Sequence, residues 1–501
     1  MDTDKKDNQA DKDESQNIVK STPRDNLVVT QHTTTIKGRS IRYTATTGTI
    51  VLKEEAQKGE KDGESEGEKA KAEVFFVAYS KDNVKDKSKR PISFCFNGGP
   101  GSSSVWLHLG VLGPKRAKTR DLETVPPPYT LVENEYSLLD QTDLVFIDPI
   151  STGFSRVVPG EKAKDFHGFK KDIESVGEFI RLYCTRYGRW TSPKFLVGES
   201  YGTTRAAGLA SYLQERYGLY LNGLMLVSSV LDFQTLLFYP ENDLTYIVYL
   251  PVYAATAWYH KKLPSHLQRK PLRKVLDEVE AFAFGDYTLA LFKGSGLPQK
   301  DYQHMLKKLA EYTGLPEDYL DQSNLRVRIH RFCKALLRDE KRTVGRFDSR
   351  FKGVDRDSAG EYFEYDPSYP VVHAPYSAAL NHYLREDLNY ESDLPYEIIS
   401  AKVRPWSYKE FENRYVSVSN TLREAMHQNP HLKVFVANGY YDLATPYSAT
   451  EYTFNHLGLA PELQKNVTMA YYEAGHMMYV HLESLARMKQ DLTTFIQSAM
   501  P

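Results

Sequence analysis

The sequence predicts an α/β protein: a mostly parallel central sheet flanked by helices, with a largely helical insertion. Three observations predict it. Short apolar runs, "ISFCFN" (92–97), "DLVFID" (143–148), "FLVGES" (195–200), "GLMLVSS" (223–229), "KVFVAN" (433–438) and "VTMAYYE" (467–473), alternate with helical patterns, as a parallel sheet covered on both faces requires. Between about 234 and 401 the strand signals fade and aromatic, helical and basic segments replace them. "GESYG" (198–202) lies where an apolar strand gives way to a helix rich in small residues, "TTRAAGLASYL".

In chain order, residues 1–25 are polar and aperiodic, a tail expected to be disordered. Residues 26–233 form the first part of the core. "SIRYTATTGTIVL" (40–52) and "EVFFVAYS" (73–80) read as paired strands rich in β-branched and aromatic residues. The charged run between them reads as a solvated hairpin tip, a mobile loop over 55–72. Residues 234–401 read as a helical cap, with "HKKLPSHLQRKPLRKVL" (260–276) a solvated helix face and Tyr246, Tyr249 and Tyr253 packing inside the cap. Residues 402–501 complete the core.

Composition narrows the function. The chain of 501 residues carries 64 Lys and Arg against 65 Asp and Glu, a balance that points away from nucleic acid or an anionic membrane as the main partner. Its three cysteines, Cys95, Cys184 and Cys333, are too few for a disulfide framework and show no CxxC spacing. The longest apolar stretch, about 236–258, contains Glu241 and Asp243 and reads as a buried helix rather than a membrane span. No basic start followed by an apolar run marks a signal peptide; the cytoplasm is the default compartment, and a signal already removed leaves the periplasm or secretion open. There is no P-loop and no HExxH, and oligomeric state is not readable.

Ser200 is the candidate nucleophile. Gly198 and Gly202 fall where a strand and helix crossing at a sharp elbow leave no room for side chains; an ordinary β–α turn is the alternative. A serine nucleophile needs a base and an acid that orients it. On such a fold they follow in the order Ser, Asp, His, each after a strand. "VFVANGYYDLATP" puts Asp442 on one such loop, and "MAYYEAGHMMY" puts His476 on the loop after the last strand. His108 and His167 also lie near strand ends but off the final strand. An oxyanion hole needs two backbone N–H groups. Tyr201 supplies one, and "FNGGPGSSS" (96–104), where glycines let the backbone approach a substrate closely, supplies the other.

"FNGGPGSSS", "DLVFIDPISTGFS", "VGESYG", "NGYYDLATP" and "EAGHMMY", in order from about residue 40 to the end, resemble the serine carboxypeptidase family, in a form like its bacterial branch. The resemblance implies an α/β-hydrolase fold with a helical cap. It also implies release of single amino acids from the carboxyl ends of peptides and proteins, without metal or organic cofactor. It implies Ser200, His476 and Asp442 as the catalytic triad, and the N–H groups of Gly99 and Tyr201 as the oxyanion hole. Asn97 and Glu199, helped by the N–H of Gly98, would bind the terminal carboxylate, and Met477 would line the leaving-group pocket. The chain departs from the family pattern at Ser102 and Thr445, where many members carry cysteine. It departs again at Val111, where many carry a second glutamate paired with the first.

Glu199 is a puzzle on charge alone, because a fixed negative charge beside a nucleophile repels the anionic transition state. A carboxyl group can donate a hydrogen bond to a carboxylate only when protonated. Burial and a nearby substrate carboxylate both favour that form. Three rival readings stand beside this one: other hydrolases (esterase, lipase, endopeptidase), which do not need Asn97 and Glu199; an acyltransferase, separated by its products with and without an acceptor; and a non-catalytic binding protein, separated by fluorophosphonate labelling of Ser200.

Overall fold

A computed structural model describes residues 23–57 and 65–500. The main sheet is built from β1 (Asn26–Ile36), β2 (Arg39–Gln57), β3 (Ser65–Lys81), β4 (Ile92–Phe96), β5 (Asp143–Ile147), β6 (Lys194–Glu199), β7 (Gly223–Val227), β8 (Lys433–Gly439) and β9 (Val467–Tyr472). They lie in the order β1-β2-β3-β5-β4-β6-β7-β8-β9, with Arg156–Val157 pairing on β3. The pairings from β1 to β5 are antiparallel, and those from β5 through β9 are parallel. After β4 the chain moves to one side to form β5, then crosses back to form β6 on the other side. The order therefore reverses between β4 and β6, and a crevice opens beyond their carboxyl ends, where ligands bind in open sheets of this kind.

The principal helices are α1 (Phe169–Arg186), α2 (Tyr201–Tyr217), α3 (Leu244–Tyr259), α4 (Leu272–Phe282), α5 (Gln299–Thr313), α6 (Pro370–His382), α7 (Ser419–Gln428), α8 (Tyr447–Asn455) and α9 (Leu482–Ser498). Every residue of β4, β5, β6 and β7 is buried, which is why these strands read as unbroken apolar runs. Successive side chains still alternate between faces. Phe94, Leu196, Leu224 and Val434 pack on α1, α2 and α7. Cys95, Val197, Met225 and Phe435 pack with Leu485, Met488, Leu492 and Phe495 of α9. Ala206, Ala207 and Ala210 face the sheet from α2, and small side chains bring that helix close to it.

A third core lies among α3, α4, α5 and α8, with Val248, Val252, Leu276, Val279, Leu306 and Phe332 at its centre. Tyr246, Tyr249 and Tyr253 are buried there, and Tyr441, Leu443 and Tyr447 join this core to the loop after β8. Helix α3 is buried on all sides from Thr245 to Ala257, as an all-round apolar helix in a folded core must be. Among the described residues no helix is long and apolar enough to cross a membrane. The basic run at 260–276 makes surface ion pairs, Lys262 to Asp339 and Arg273 to Asp277 and Glu280. The stretch 234–401 is not one packing unit: Val372, Tyr376, Ala379 and Leu380 of α6 belong to the α9 side of the sheet.

The expectation of a mobile loop over 55–72 is corrected. Strand β2 continues to Gln57 and β3 begins at Ser65, so only 58–64 lies outside the described residues. Opposite charges explain the extension: Glu54 sits across from Lys69, and Lys53 pairs with Glu68 at 3.2 Å. Such cross-strand pairs support a ladder that composition alone assigns to solvent. Of the polar tail, residues 1–22 lie outside the described residues, whereas Asp25 is fastened: its Oδ1 accepts the Val51 N–H at 2.9 Å and its Oδ2 pairs with Arg186.

The crossing of β6 and α2 leaves no space at Gly198, where a Cβ would lie 2.2 Å from the Gly202 carbonyl oxygen. Gly198→Ala should lower the urea midpoint by an amount equivalent to about 1–3 kcal/mol, the usual cost of overpacking. Gly285→Ala, where a Cβ would meet nothing within 4 Å, should leave it unchanged or raise it. Equal midpoints for the two variants would contradict the close crossing.

Candidate active site

Strand β6 ends at Glu199, α2 begins at Tyr201, and Ser200 stands between them at φ 58° and ψ −128°. A non-glycine residue held there stores strain of roughly 1–3 kcal/mol and persists only when its surroundings impose it. The Ser200 N–H donates to the Val227 carbonyl at 2.9 Å, and the Ser200 carbonyl accepts from the Thr203 N–H at 2.8 Å. The β6–α2 crossing at Gly198 and Gly202 does the rest. Ser200 thus faces the crevice rather than continuing the strand.

The loop after β4 is packed against this elbow. A Cβ on Gly98 would lie 2.4 Å from the Tyr201 nitrogen, and Gly99 takes φ +104°, a conformation that favours glycine. Among the described residues, the N–H groups of Gly98, Gly99 and Tyr201 have no protein acceptor. Together they form a cluster of donors beside Ser200 in the pocket. Arg205 of α2, fully buried, pins the loop from below: its Nη1 donates to the Asn97 carbonyl at 2.6 Å and its Nε to Asp172 at 2.7 Å. Its guanidinium also stacks on Phe96 and Tyr201, 5.3 and 5.4 Å from their ring centres.

Asp442 and His476 meet on the loops after β8 and β9. His476 Nδ1 donates to Asp442 Oδ2 at 2.7 Å. The Thr445 hydroxyl donates to the same oxygen at 2.7 Å, and the N–H groups of Ala444 and Thr445 donate to Oδ1 at 2.7 and 3.0 Å. With Asp442 fully buried, those donors fix its orientation and leave it an acceptor for the imidazole. The His476 backbone is clamped on both sides, its N–H by the Phe347 carbonyl at 2.6 Å and its carbonyl by the Ser228 hydroxyl at 2.6 Å. Burial works against the imidazolium, but the charge and hydrogen bond of Asp442, with Glu199 beyond, outweigh it and raise the pKa above its ordinary value. Ser200 and His476 line the same pocket, and the serine hydroxyl makes no hydrogen bond to the ring. Such bonds are often long before substrate binds and tighten in the complex.

Glu199 is 3% exposed. Burial pushes its carboxyl up to about 7, against the opposing pull of His476, Tyr479 and Asn97. The Tyr479 hydroxyl donates to Oε2 at 2.7 Å. Asn97 Oδ1 accepts the Leu107 N–H at 3.0 Å, which settles the amide's orientation. Its buried Nδ2 is left without a full hydrogen bond, close enough to Glu199 to favour the ionised form. The pocket is closed by Trp106, Phe347, Tyr369, Val372, Ile399 and Met477, with Arg346 at its edge.

All nine residues singled out from sequence lie in or against this crevice. Asn97, Gly98, Gly99, Glu199, Ser200, His476 and Met477 line the pocket. Tyr201 contributes from the helix start and Asp442 from behind His476. His108 and His167 lie elsewhere: His108 is buried against Tyr79 and Phe146, its pKa pushed down to about 3 by burial, and His167 pairs with Ser151. Val111 is buried in the sheet core. Tyr479, which the sequence reading passed over, takes up the partnership with Glu199. Its ring lies over Gly110, where a Cβ would come within 2.4 Å of it. The two departures at cysteine positions also have contacts, Ser102 accepting the Trp106 indole N–H at 3.0 Å and Thr445 bracing Asp442.

A mostly parallel sheet, a serine on a strained strand-to-helix elbow, and an Asp–His pair on later loops define an α/β hydrolase. The serine carboxypeptidase family model matches residues 64–490, and the chain belongs to that family. Pheromone-processing carboxypeptidase KEX1 of Saccharomyces cerevisiae is 32% identical over 136 residues, which is 26% of this chain and 18% of that protein. Serine carboxypeptidase-like 33 of Arabidopsis thaliana is 29% identical over 147 residues, 28% of each chain. The aligned stretch thus spans less than a third of either relative. The crystal structure of KEX1ΔP, a prohormone-processing carboxypeptidase from Saccharomyces cerevisiae, matches with a TM-score of 0.54 at 15% identity, over 90% of this chain and 91% of that one. That likeness shows the α/β-hydrolase fold.

The Tyr479–Glu199 bond has a measurable consequence. Removing the hydroxyl with Tyr479→Phe takes away a donor that favours the ionised carboxyl. The Glu199 pKa should rise by about one pH unit, since a hydrogen bond to a charged group contributes roughly 1.5–3 kcal/mol. A carbon NMR titration of the Glu199 carboxyl reads this directly, and an unmoved midpoint would show that Tyr479 does not donate to it.

Proposed function

We propose that the protein is a serine carboxypeptidase that removes amino acids one at a time from the carboxyl ends of peptides and proteins. One observation carries the reading: a buried carboxyl group, Glu199, and the under-satisfied amide of Asn97 stand beside Ser200. A hydrolase of internal bonds or esters has no use for that pair, whereas a free terminal carboxylate needs two donors. Protonated Glu199 donates from its hydroxyl, Asn97 from Nδ2, and the Gly98 N–H adds a third.

In the mechanism, the terminal carboxylate docks there and brings the last peptide bond over Ser200. The Ser200 hydroxyl attacks the carbonyl carbon while His476 takes its proton, and Asp442 steadies the imidazolium. The N–H groups of Gly99 and Tyr201 hold the oxyanion, which needs donors already in place when the charge develops. His476 then protonates the departing amine, the free amino acid leaves past Met477, and an acyl group remains on Ser200. Water, deprotonated by His476, attacks that ester; collapse of the second oxyanion expels the Ser200 oxygen, which takes the proton back from His476, and frees the shortened peptide with a new carboxyl end. Arg346, Phe347, Tyr369, Val372 and Ile399, all from 234–401, border this path.

Mass spectrometry of a peptide set should show stepwise loss from the carboxyl end, with amidated copies spared. Ser200→Ala should lower the rate at least about 10³-fold, as loss of a nucleophile does. Equal cleavage of amidated peptides, or cleavage confined to esters, would reject the carboxypeptidase reading.

The role of Glu199 predicts a pH effect with a definite sign. Only the protonated form donates to the substrate, so KM for free-acid peptides should begin to rise as pH passes the free enzyme's Glu199 value of about 7. The rise should level off above the higher value that Glu199 takes in the complex, where the substrate's charge disfavours a second anion. In Glu199→Gln the amide donates at every pH, and the alkaline rise in KM should disappear while the acid-side fall in kcat, set by His476, remains. Parallel alkaline KM rises in the two enzymes would remove Glu199 from this role.

A further inference from the structure

Arg346 borders the candidate active-site pocket, together with Ser200, Glu199, Asn97 and His476. Its backbone is fastened at both ends: the N–H donates to Asp366 Oδ1 at 3.1 Å, and the carbonyl accepts the Leu443 N–H on the Asp442 loop at 3.0 Å. The guanidinium lies over the Phe347 ring, 4.7 Å from its centre, and Phe347 in turn packs on the His476 ring at 5.2 Å. This part-buried cation is therefore held at a set distance from the reacting atoms. Among the described residues no carboxylate pairs with it. The acids nearby are committed elsewhere: Asp366 accepts from the Phe347 N–H and from Ser368, Asp348 pairs with Arg350, and Asp442 is taken up by His476 and Thr445.

A cation in this setting is unlike the other anchored arginines around the site. Arg205 and Arg350 are tied to carboxylates of the protein and act as braces. Arg346 keeps its donors for whatever enters the pocket. The terminal carboxylate already has its donors in Asn97, Gly98 and Glu199, so a second anionic group is the one Arg346 can recognise.

We propose that Arg346 is a specificity-determining residue that selects substrates with an acidic side chain, Asp or Glu, on one of the two residues flanking the scissile bond. The inference rests on the carboxypeptidase reading and adds the substrate class. A guanidinium meets a carboxylate through two parallel N–H···O bonds, which distinguishes Glu from its neutral isostere Gln. The last and the penultimate residue are the two sources of that carboxylate.

The test compares two sets of acyl-blocked peptides at about pH 6, where a glutamate side chain is ionised. One set varies the last residue and the other the penultimate residue through Glu, Gln, Leu and Lys. In the wild type, kcat/KM for Glu should exceed that for Gln by at least about tenfold in one of the sets, as a charge-assisted bond provides; the responding set identifies the position. Arg346→Met should bring that Glu-to-Gln ratio near one, Arg346→Lys should keep part of it, and Arg346→Glu should turn the preference toward Lys. A wild-type ratio near one in both sets, or a ratio that survives Arg346→Met, would overturn the inference and leave the carboxypeptidase reading intact. Failure to release the last residue from any peptide, Leu peptides included, would overturn both.

Discussion

The candidate active site depends on how closely one strand passes one helix. A Cβ at Gly198 would strike the Gly202 carbonyl, and a Cβ at Gly202 would lie 2.8 Å from the Phe96 carbonyl oxygen. Three pieces of chain, the ends of β4 and β6 and the start of α2, therefore touch backbone to backbone. That contact forces Ser200 into its unusual conformation and turns three N–H groups toward one volume. It also explains why Arg205 is buried beneath the site. Its guanidinium ties the β4 loop to α2, with Asp172 as its counter-charge, so the loop that supplies Gly98 and Gly99 cannot drift from the elbow. Removing one partner of a buried pair leaves an uncompensated charge, which makes this brace costly to alter.

The second constraint is electrostatic. Glu199 and His476 influence each other's titration, and each raises the preference of the other for its charged form. Neutral Glu199 with neutral His476 and ionised Glu199 with charged His476 contain the same number of protons. pH alone does not choose between them, and the apparent pKa values belong to the pair. In the role proposed for Glu199, a substrate carboxylate would choose, because it would repel ionised Glu199 and accept from the protonated one. Binding of a free carboxyl end would then return His476 to the neutral form that a general base requires.

How much of this was legible in the sequence follows from where each residue stands. Ser200, Asp442 and His476 could be placed because each follows a strand whose apolar run is plain. Glu199 and Asn97 came with the motifs around them. Tyr479 was hidden, since its contact with Glu199 depends on a turn after His476 and on the missing side chain at Gly110, neither visible as a pattern. Arg346 was hidden for another reason: it lies in a segment without periodicity, and only folding brings that segment between the Asp442 and His476 loops. The charged run shared by the end of β2 and the start of β3 was misread because composition reports charge but not register, and register decides whether Glu54 meets Lys69 or solvent. The division of 234–401 between two cores was equally unreadable, because the apolar residues of α6 look the same whichever core they join.

Tyr479 settles a question that the absence of a second glutamate raised. Two facing carboxyl groups share one proton, and either can give it up. A buried phenol cannot do so in the working range of the enzyme: burial and the Glu199 charge push the Tyr479 hydroxyl further up. It is therefore a donor at every relevant pH, and its acceptor is Oε2. An oxygen that accepts from a neighbour is the poorer place for a proton, so when Glu199 is neutral its proton resides on Oε1. The same bond that lowers the Glu199 pKa thus chooses which oxygen can donate. Val111 is buried in the sheet core, and Tyr479 is the side chain that donates to Glu199, directing its proton without competing for it.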